Sequence, residues 1–532
     1  MIPGQCLRHF FKDLIVTIAA LLLGSLGVLL TGCTFSDPGI PGRQSHIETP
    51  PTTSVADGNM TPSFLVSLPP LPPLDLNELN QRAMETVKKS PIRSNSVIGI
   101  HHINLSEHKL FDEFFPLVSS DPAAAPPVVF ALSALNSVMV VTDRLRTTDG
   151  GLSWVGHIQN NPRSSVLFLA DTKTRTISGE IRIDGKIYEI RPGERRSYAV
   201  FAIEPSRLPP EHSSEWYETP SESHVPRNLF PTTATRGDSP PVIDVMVLYT
   251  QEAIDADHDP SSNLATQICY AITQINESFF DSGVTPLVRL VHHGKIDFPE
   301  SGQTEQDAMN LADYTFEQSK SAHRNRKKYG ADLVSLWVGD GDANDCGAAQ
   351  VIIQPGGSGA LAFSVVRRNC AITDLGFAHE LGHLMGAHHD RFDAKADTST
   401  DRNYGYIRPD KDWMTIMAVD VNRTDCPLKP NNVHSCERVK YWSNPAKSYP
   451  PPPSAGDAMG SLDTITPIGC RTSDPVTTPC DGPADNTTTL NNNASAVSRF
   501  MPTARPTAIL DLGHVSCDVI NTGEVPRSPV VR

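Results

Sequence analysis

The stretch "FAHELGHLMGAHHD", residues 377–390, places four histidines, a glutamate and an aspartate close together. Residues four apart on an α-helix lie one turn apart on the same face, so His379 and His383 can bind one metal ion together. Glu380 adjoins the first histidine and would lie beside the ion, where a carboxylate acts as a general base. The spacing therefore predicts a helix that presents two imidazoles to a catalytic zinc ion.

The residues after this helix predict the third ligand. Gly386 follows His383 by three positions, and glycine readily adopts the left-handed conformation that ends a helix. The chain would then turn back and bring His389 to the ion. His388 is interpreted as a bystander, because the ligand spacing uses His389. The expected site is one zinc ion on His379, His383 and His389, with Glu380 as the catalytic residue; a calcium requirement is not readable.

The full pattern, His-Glu-x-x-His-x-x-Gly-x-x-His, resembles the metzincin metalloproteases. By this resemblance, Asp390 is a structural residue of the adamalysin type, and a methionine turn lies beneath the metal. "WMTIMAVD", residues 413–420, supplies Met417 for that turn, with Met414 as the alternative. One departure concerns the rate: Val419 stands where some metzincins have a tyrosine that ligates zinc or steadies the transition state.

Further stretches resemble the bacterial peptidyl-Asp metalloendopeptidases over about residues 241 to 500: "VIDVMVLYT", "YGADLVSLWVGDG", "CGAAQ", "AFSVVRRNCA", "YGYI" and "YWSNP". The resemblance implies cleavage of protein or peptide substrates on the N-terminal side of aspartate. A pocket for aspartate needs a cation, and arginine fits best because its guanidinium can donate two parallel hydrogen bonds to a carboxylate. Arg367 and Arg368 are the candidates for substrate binding; the alternative is two solvated charges at a strand end.

The element order predicts the fold class. From residue 241 the pattern reads β-α-β-α-β-β-α, including one polar helix over 303–328, which indicates an α/β metzincin-like catalytic domain with a mixed sheet and an active-site helix. A small β-rich domain precedes it, with a hairpin turn at Asp184 and Gly185. The expected boundaries are a signal peptide at 1–32, a Pro/Ser/Thr-rich tether at 33–94, the β-rich, pro-like domain at 95–205, a linker at 206–240, the protease domain at 241–502 and a tail at 503–532.

The N-terminus predicts the compartment. Arg8 and Lys12 precede an apolar run at residues 14–30, and "LTGC" follows. This arrangement resembles a bacterial lipoprotein signal in which Cys33 carries the lipid; the alternative is an uncleaved single-span anchor. The expectation is a lipid-anchored protein of the cell envelope, with the outer membrane favoured by Thr34. The catalytic domain would then lie outside the cytoplasm, where cleavage could release it.

Cysteine usage and charge agree with this compartment. Eight of the ten cysteines lie after residue 268, and an even number in an oxidising compartment suggests disulfides. The local pairs expected are Cys346–Cys370, Cys426–Cys436 and Cys470–Cys480; the alternative is that some are free buried thiols. The net charge of −15 argues against a nucleic-acid partner.

Two questions stay open at the level of sequence. A surface-anchored binding or adhesion protein with a degenerate metzincin domain is the alternative function, and a further version makes residues 95–205 the adhesion module. The second question is latency. No cysteine lies between Cys33 and Cys269, which excludes a cysteine that blocks the zinc. An aspartate, a histidine or steric cover could block it instead, and Asp238 in the linker offers a self-cleavage point.

Overall fold

The computed structural model describes most of the chain between residues 64 and 502. Within that span it leaves out residues 66, 69–75, 121–124, 134–135, 149–150, 194–196, 212–239, 257–263, 342–343, 353–358, 395–400, 409–411, 421–423, 425, 451–465 and 471–481. The predicted signal peptide, the predicted lipidation site at Cys33, Asp238 and the predicted tail at 503–532 lie outside the described residues. Among the described residues, no helix is both long and apolar enough to cross a membrane.

A ten-stranded sheet dominates the N-terminal part. Its order is β1-β4-β5-β6-β7-β8-β9-β10-β3-β2, and β4 to β10 form an antiparallel meander. Asp184 and Gly185 have φ angles of 52° and 70° in the turn between β8 and β9, as the Asp-Gly pair predicts. The strands are β1 Phe64–Leu65, β2 Ser67–Leu68, β3 Val97–Leu105, β4 Val128–Ala131, β5 Ser137–Thr148, β6 Gly151–Ile158, β7 Asn161–Asp171, β8 Thr176–Ile183, β9 Lys186–Pro192 and β10 Ser197–Ile203.

Short helices accompany this sheet, and an aromatic cluster fills its core. The helices are α1 Leu76–Val87, α2 Pro91–Ser96, a π-helix His108–Phe114 and α3 Phe115–Ser120. Trp154 is fully buried, and its ring centroid lies 5.1 Å from that of Phe114 and 5.3 Å from that of Phe168. After β10, a 3₁₀ turn at Pro205–Arg207 carries the chain toward residue 211.

The second part is built on a mixed five-stranded sheet of order β12-β11-β13-β15-β14. Its first four members are parallel, and β14 is antiparallel at the edge. All six residues of β13 are buried, as expected for a parallel strand covered on both faces. The strands are β11 Val242–Tyr249, β12 Leu287–Lys295, β13 Leu333–Val338, β14 Gly347–Ala349 and β15 Phe363–Arg367.

The helices of this part include the predicted ones, together with two short helices that were not predicted, Gln251–Ala256 and Arg368–Ala371, and one prediction needs correction. The single polar helix predicted over 303–328 is wrong: the chain forms α6 Thr304–Ala312, a 3₁₀ turn Glu317–Ser319 and α7 Lys320–Tyr329. Asp313 ends α6, because its side chain accepts a hydrogen bond from the backbone of Thr315 at 2.8 Å and so competes with helical pairing. The other helices are α4 Gln251–Ala256, α5 Leu264–Ser282, α8 Arg368–Ala371 and α9 Gly376–Leu384.

Beyond α9 the chain forms short strands and a final helix. These are β16 His388–Asp390, β17 Tyr404–Gly405, β18 Ile407–Arg408, β19 Trp413–Met414, β20 Glu437–Arg438, β21 Asn444–Tyr449, β22 Thr466–Ile468 and α10 Asn486–Val497. Strand β20 pairs in parallel with β19, so residues 437–438 lie next to the segment that leads into the predicted methionine turn.

Buried polar contacts join the ten-stranded sheet to helix α5. Glu277 accepts hydrogen bonds from Arg144 Nε at 2.8 Å and from Ser153 Oγ at 3.0 Å. The hydroxyl of Tyr270 donates to the backbone oxygen of Leu167 at 3.2 Å. These contacts fix the N-terminal sheet on the second part, so the chain that leaves β10 runs directly into the second part.

Two of the three expected disulfides are confirmed. Cys346 pairs with Cys370, and Cys426 pairs with Cys436. Cys470 is also disulfide-bonded; its expected partner, Cys480, lies outside the described residues. The first bridge ties the residue ahead of edge strand β14 to helix α8.

We expect the Cys346–Cys370 bridge to stabilise the fold mainly by restricting the unfolded chain. The paired substitution Cys346→Ser with Cys370→Ser should lower the free energy of unfolding by about 3 kcal/mol. Urea denaturation followed by circular dichroism measures this change. An unchanged midpoint in the paired variant, with the same slope, would contradict the expectation.

Candidate active site

Helix α9 carries the first three predicted site residues, His379, Glu380 and His383, all of them buried. Gly382, on the same helix, explains how the chain packs beneath it. A Cβ atom at Gly382 would lie 2.5 Å from Met417 Sδ and 2.7 Å from the ring of Trp442. Only glycine therefore lets Met417 approach the helix so closely, and Met417 is fully buried there.

The helix ends where the sequence indicates. Gly386 has a φ of 92°, in the left-handed region. Its backbone N–H donates to the carbonyl of His383 at 3.0 Å, and the N–H of Ala387 donates to Gly382 at 2.9 Å. The chain then reverses into β16, which contains His389.

The structure brings the three predicted ligands together. The Nε2 atom of His383 lies 3.0 Å from that of His389, and each lies 3.1 Å from that of His379. All three residues are buried. Three nitrogens at this separation can reach one ion at the zinc–nitrogen distance of about 2.0–2.1 Å.

The opposite ring nitrogens fix the imidazoles in the form that binds a metal. Nδ1 of His379 donates to the carbonyl of Ile416, and Nδ1 of His383 donates to that of Ala387, each at 2.9 Å. Nδ1 of His389 faces Asp393 Oδ2 at 2.6 Å. With each Nδ1 protonated, a neutral imidazole directs its Nε2 lone pair at the centre of the triad. Burial, followed by the charges of the neighbouring histidines, lowers the pKa of His379 well below its usual value, which favours the neutral form.

Asp393 is a functional residue that the sequence reasoning missed. It lies four positions after His389 and supports that ring from behind. A carboxylate behind a ligating histidine is a common partner in metal sites. The four-residue spacing was the available signal, but the turn after residue 390 gave no reason to expect it.

Glu380 lies beside the triad with little room around it. A Cβ atom on Gly347 of edge strand β14 would be 2.6 Å from Glu380 Oε1. Glu380 Oε2 is buried and has no hydrogen-bond partner among the described residues. Burial, and then the charges of Glu211 and Asp345, raises the pKa of Glu380 well above its usual value. A carboxyl group with a raised pKa is suited to accept and return a proton.

Asp390 has a structural role next to the triad, and Val419 and His388 lie outside the triad. Asp390 Oδ2 accepts a hydrogen bond from the backbone of Val419 at 3.1 Å, and Oδ1 accepts one from Phe392 at 3.2 Å. Asp390 thus ties β16 to the segment after Met417, as expected of a structural residue. Val419 is buried. The ring of His388 lies 5.4 Å from that of Tyr404, outside the triad.

The two arginines predicted for substrate binding are placed differently. Arg367 is fully buried and donates to the carbonyls of Asp345 at 2.7 Å and Gly302 at 3.0 Å. Arg368 is also buried and donates to Gln267 Oε1 at 3.0 Å and the carbonyl of Ala253 at 2.9 Å. Both side chains hold loops and helices together. The alternative of solvated charges is wrong as well, because the strand end is covered.

A different arginine lies at the site. Arg438, on β20, donates to Glu211 Oε1 at 2.8 Å and to Asp374 Oδ2 at 3.1 Å. A carboxylate oxygen of Glu211, a nitrogen of His379 and a carboxylate oxygen of Glu380 lie within 4.8 Å of one another. Sequence reasoning missed both residues, since Glu211 falls in the predicted linker and Arg438 lies 49 positions after His389, the last histidine of the triad.

We expect Asp393→Asn to weaken metal binding, because an amide orients the His389 ring without strengthening its basicity. The dissociation constant for zinc should rise about 10- to 100-fold, as measured by competition with a chromophoric chelator. Asp255→Asn, at an exposed position on α4, serves as the control and should bind like the unchanged chain. Equal affinities of the two variants would contradict the role of Asp393.

Gly347→Ala tests the contact between the edge strand and Glu380. The added methyl group must displace the carboxylate, and kcat/KM for peptide hydrolysis should fall about 100-fold. Zinc affinity should stay unchanged, because the triad is not touched. Gly99→Ala, where a Cβ atom meets only ordinary contacts from 3.6 Å outward, is the control. Unaltered hydrolysis by Gly347→Ala would contradict the close approach.

Comparison with known proteins agrees with this geometry. Residues 239–433 match the family Reprolysin_5, described as metallo-peptidase family M12. The peptidyl-Asp metalloendopeptidase of Stenotrophomonas maltophilia strain K279a is 27% identical over 364 residues, covering 65% of this chain and 81% of that protein. The namesake from Xanthomonas campestris pv. campestris is 30% identical over 292 residues, covering 54% and 63%.

Among solved structures, metalloproteinase-II from Bacteroides fragilis aligns with a TM-score of 0.31 and 11% identity, over 59% of this chain and 87% of that one. The family match spans the sheet, the histidine triad and the segment of Met417. The similarity to these two relatives extends beyond the matched domain, because their alignments are longer than residues 239–433. The chain is therefore a metalloendopeptidase, and its residues 239–433 are similar to M12 metallopeptidase domains of the metzincin type.

Proposed function

We propose that this protein is an extracytoplasmic, zinc-dependent endopeptidase that cleaves proteins on the N-terminal side of aspartate. The observation that carries the chemistry is the triad of His379, His383 and His389, whose Nε2 atoms converge beside Glu380. Three histidines with a neighbouring glutamate form the donor set of a catalytic zinc site, which keeps a position open for water and substrate.

The residues of the chain divide the hydrolysis between them. A bound zinc ion supplies Lewis acidity toward the scissile carbonyl and lowers the pKa of water. Glu380 takes the proton from the attacking water and then delivers it to the leaving amine. Burial of Glu380 and of the triad excludes bulk water, which strengthens the electrostatic interactions in the site.

The preference for aspartate is supported by the relatives, which carry the name peptidyl-Asp metalloendopeptidase. Such a preference requires a cation near the metal, because an aspartate side chain is not transferred into a buried pocket without a partner. Arg438 is a buried cation that binds Glu211, whose carboxylate lies within 4.8 Å of His379 and Glu380.

The location is supported by the sequence of the N-terminus and by the disulfides. A basic start, an apolar run at residues 14–30 and Cys33 fit a lipoprotein signal. Two disulfides in the structure fit an oxidising compartment. The membrane is then a partner through the lipid, and peptides or proteins outside the cytoplasm are the substrates.

The test is a digest of a proteome-derived peptide library by the zinc-loaded protein, used both as the full chain and as the full chain with Glu211→Ala, with the new termini read by mass spectrometry. Glu380→Gln should lose at least about 100-fold in cleavage rate, since it cannot accept the proton. Glu317→Gln, an exposed change, should cleave like the unchanged chain, and a chelator should silence both active proteins.

Aspartate should be enriched directly after the cut. Cleavage without that enrichment would keep the peptidase and reject the specificity. A folded, zinc-loaded protein that cleaves nothing, either as the full chain or with Glu211→Ala, would reject the peptidase and favour a binding protein with a degenerate metzincin domain.

A further inference from the structure

Residues 209–211 lie inside the metallopeptidase part of the molecule, although they follow directly from the N-terminal sheet. The backbone N–H of Cys346 donates to the carbonyl of Pro210 at 3.0 Å. Cys346 immediately precedes the edge strand β14, whose Gly347 adjoins Glu380. One backbone hydrogen bond thus holds Pro210 beside the chain that enters the edge strand of the sheet.

Glu211 brings its carboxylate to the metal triad. Its side chain is fully buried, and a carboxylate oxygen lies within 4.8 Å of a nitrogen of His379 and an oxygen of Glu380. Glu211 Oε2 is buried without a hydrogen-bond partner among the described residues. A buried acidic side chain with one oxygen that lacks a hydrogen-bond partner among the described residues therefore lies beside His379 and Glu380.

Arg438 holds the other oxygen of Glu211 and is itself held rigidly. Its Nη2 donates to the carbonyl of Ala418 at 3.0 Å, next to Met417, and its Nη1 donates to the carbonyl of Asp374 at 2.9 Å. The carboxylates of Asp374 and Asp420 also attract its positive charge. Arg438 Nε is buried and has no partner among the described residues. The guanidinium is thus fixed in position and retains a donor for a carboxylate.

The same residues border an open space. Residues 205–211, Asp374, Asp420 and Arg438 line a cavity of about 750 Å³. A cavity of this size, with Glu211 and Arg438 on its wall, can receive the side chain of a substrate residue and part of its backbone. Among the cations on this wall, Arg438 also contacts Glu211, whose carboxylate lies within 4.8 Å of His379 and Glu380.

We infer that Arg438 binds the acidic side chain of the substrate residue next to the cleaved bond, and that Glu211 takes its place in the uncut chain. Residues 209–211 are then a built-in, substrate-like occupant that keeps the peptidase latent. This inference rests on the proposed function, because it explains the preference for aspartate by a specific cation. The segment between Cys33 and Cys269 has no cysteine that could block the metal. The inference assigns this blocking role to Glu211.

Peptide binding tests the inference without relying on turnover. The probe is a labelled short peptide with one central aspartate, paired with the same peptide carrying asparagine, and the full chain carries Glu380→Gln to prevent cleavage. Adding Glu211→Ala should tighten binding of the aspartate peptide at least about tenfold, as expected when a charged hydrogen-bonded competitor is removed. Glu204→Gln, on the same approach to the site but outside the metal cluster, should change nothing.

Arg438 is tested in the chain with Glu380→Gln and Glu211→Ala. This chain should prefer the aspartate peptide over the asparagine peptide at least about tenfold. Arg438→Gln should remove the preference while leaving the asparagine peptide's affinity unchanged. Arg438→Lys keeps the charge but cannot donate two parallel hydrogen bonds, so it should retain part of the preference for the aspartate peptide. If Arg438→Gln melts at a lower temperature, Arg438→Lys replaces it in the comparison.

The outcomes separate the inference from the proposed function. If neither Glu211→Ala nor Glu211→Gln changes the affinity for the aspartate peptide, Glu211 is not the occupant and that part of the inference is overturned. An aspartate preference that survives both Arg438 variants would overturn Arg438 as the residue that binds the substrate carboxylate, even if the protein cleaves before aspartate. Cleavage by Glu211→Ala chains that ignores aspartate would instead overturn the proposed specificity.

Discussion

The convergence of three imidazole nitrogens on one point is the constraint on which the rest of the site depends. The Nε2 atoms lie 3.0–3.1 Å apart, and their lone pairs repel one another unless a cation lies between them. The carbonyls of Ile416 and Ala387 and the carboxylate of Asp393 hold the rings in this arrangement. The loop that contains Met417, the helix end at Gly386 and the turn after Asp390 are all needed to supply those three acceptors.

Glycine residues allow neighbouring elements to approach the backbone closely around the active site. Gly347, Gly382 and Gly386 each lie where a Cβ atom would come within 2.6 Å of a neighbour. Each one admits a different element: Glu380 against the edge strand, Met417 beneath the helix, and Asn493 of α10 against the helix end. The metal helix is therefore enclosed on three sides, which buries Glu380 and raises its pKa.

Charge around Arg438 links the N-terminal part to the chemistry. One guanidinium faces the carboxylates of Glu211 and Asp374, with Asp420 nearby. A buried cation with this many partners remains charged, since burial alone would lower its pKa and the carboxylates raise it. Removal of one carboxylate leaves the others to hold the arginine in place, so a substrate carboxylate can replace Glu211 without rebuilding the site.

Local sequence patterns predict the alternation of strands and helices from residue 241, the helix with His379 and His383, its end at Gly386 and two disulfides. These features depend on local periodicity, on the left-handed freedom of glycine or on short chain separations, all of which can be read along the chain. The packing of the folded chain places Arg367 and Arg368 as buried supports and brings Arg438 into contact with Glu211 next to the triad. It also decides that Glu211, from a stretch with linker composition, reaches the metal helix. Contacts between residues more than 200 positions apart depend on how two sheets pack, and no local pattern encodes that packing.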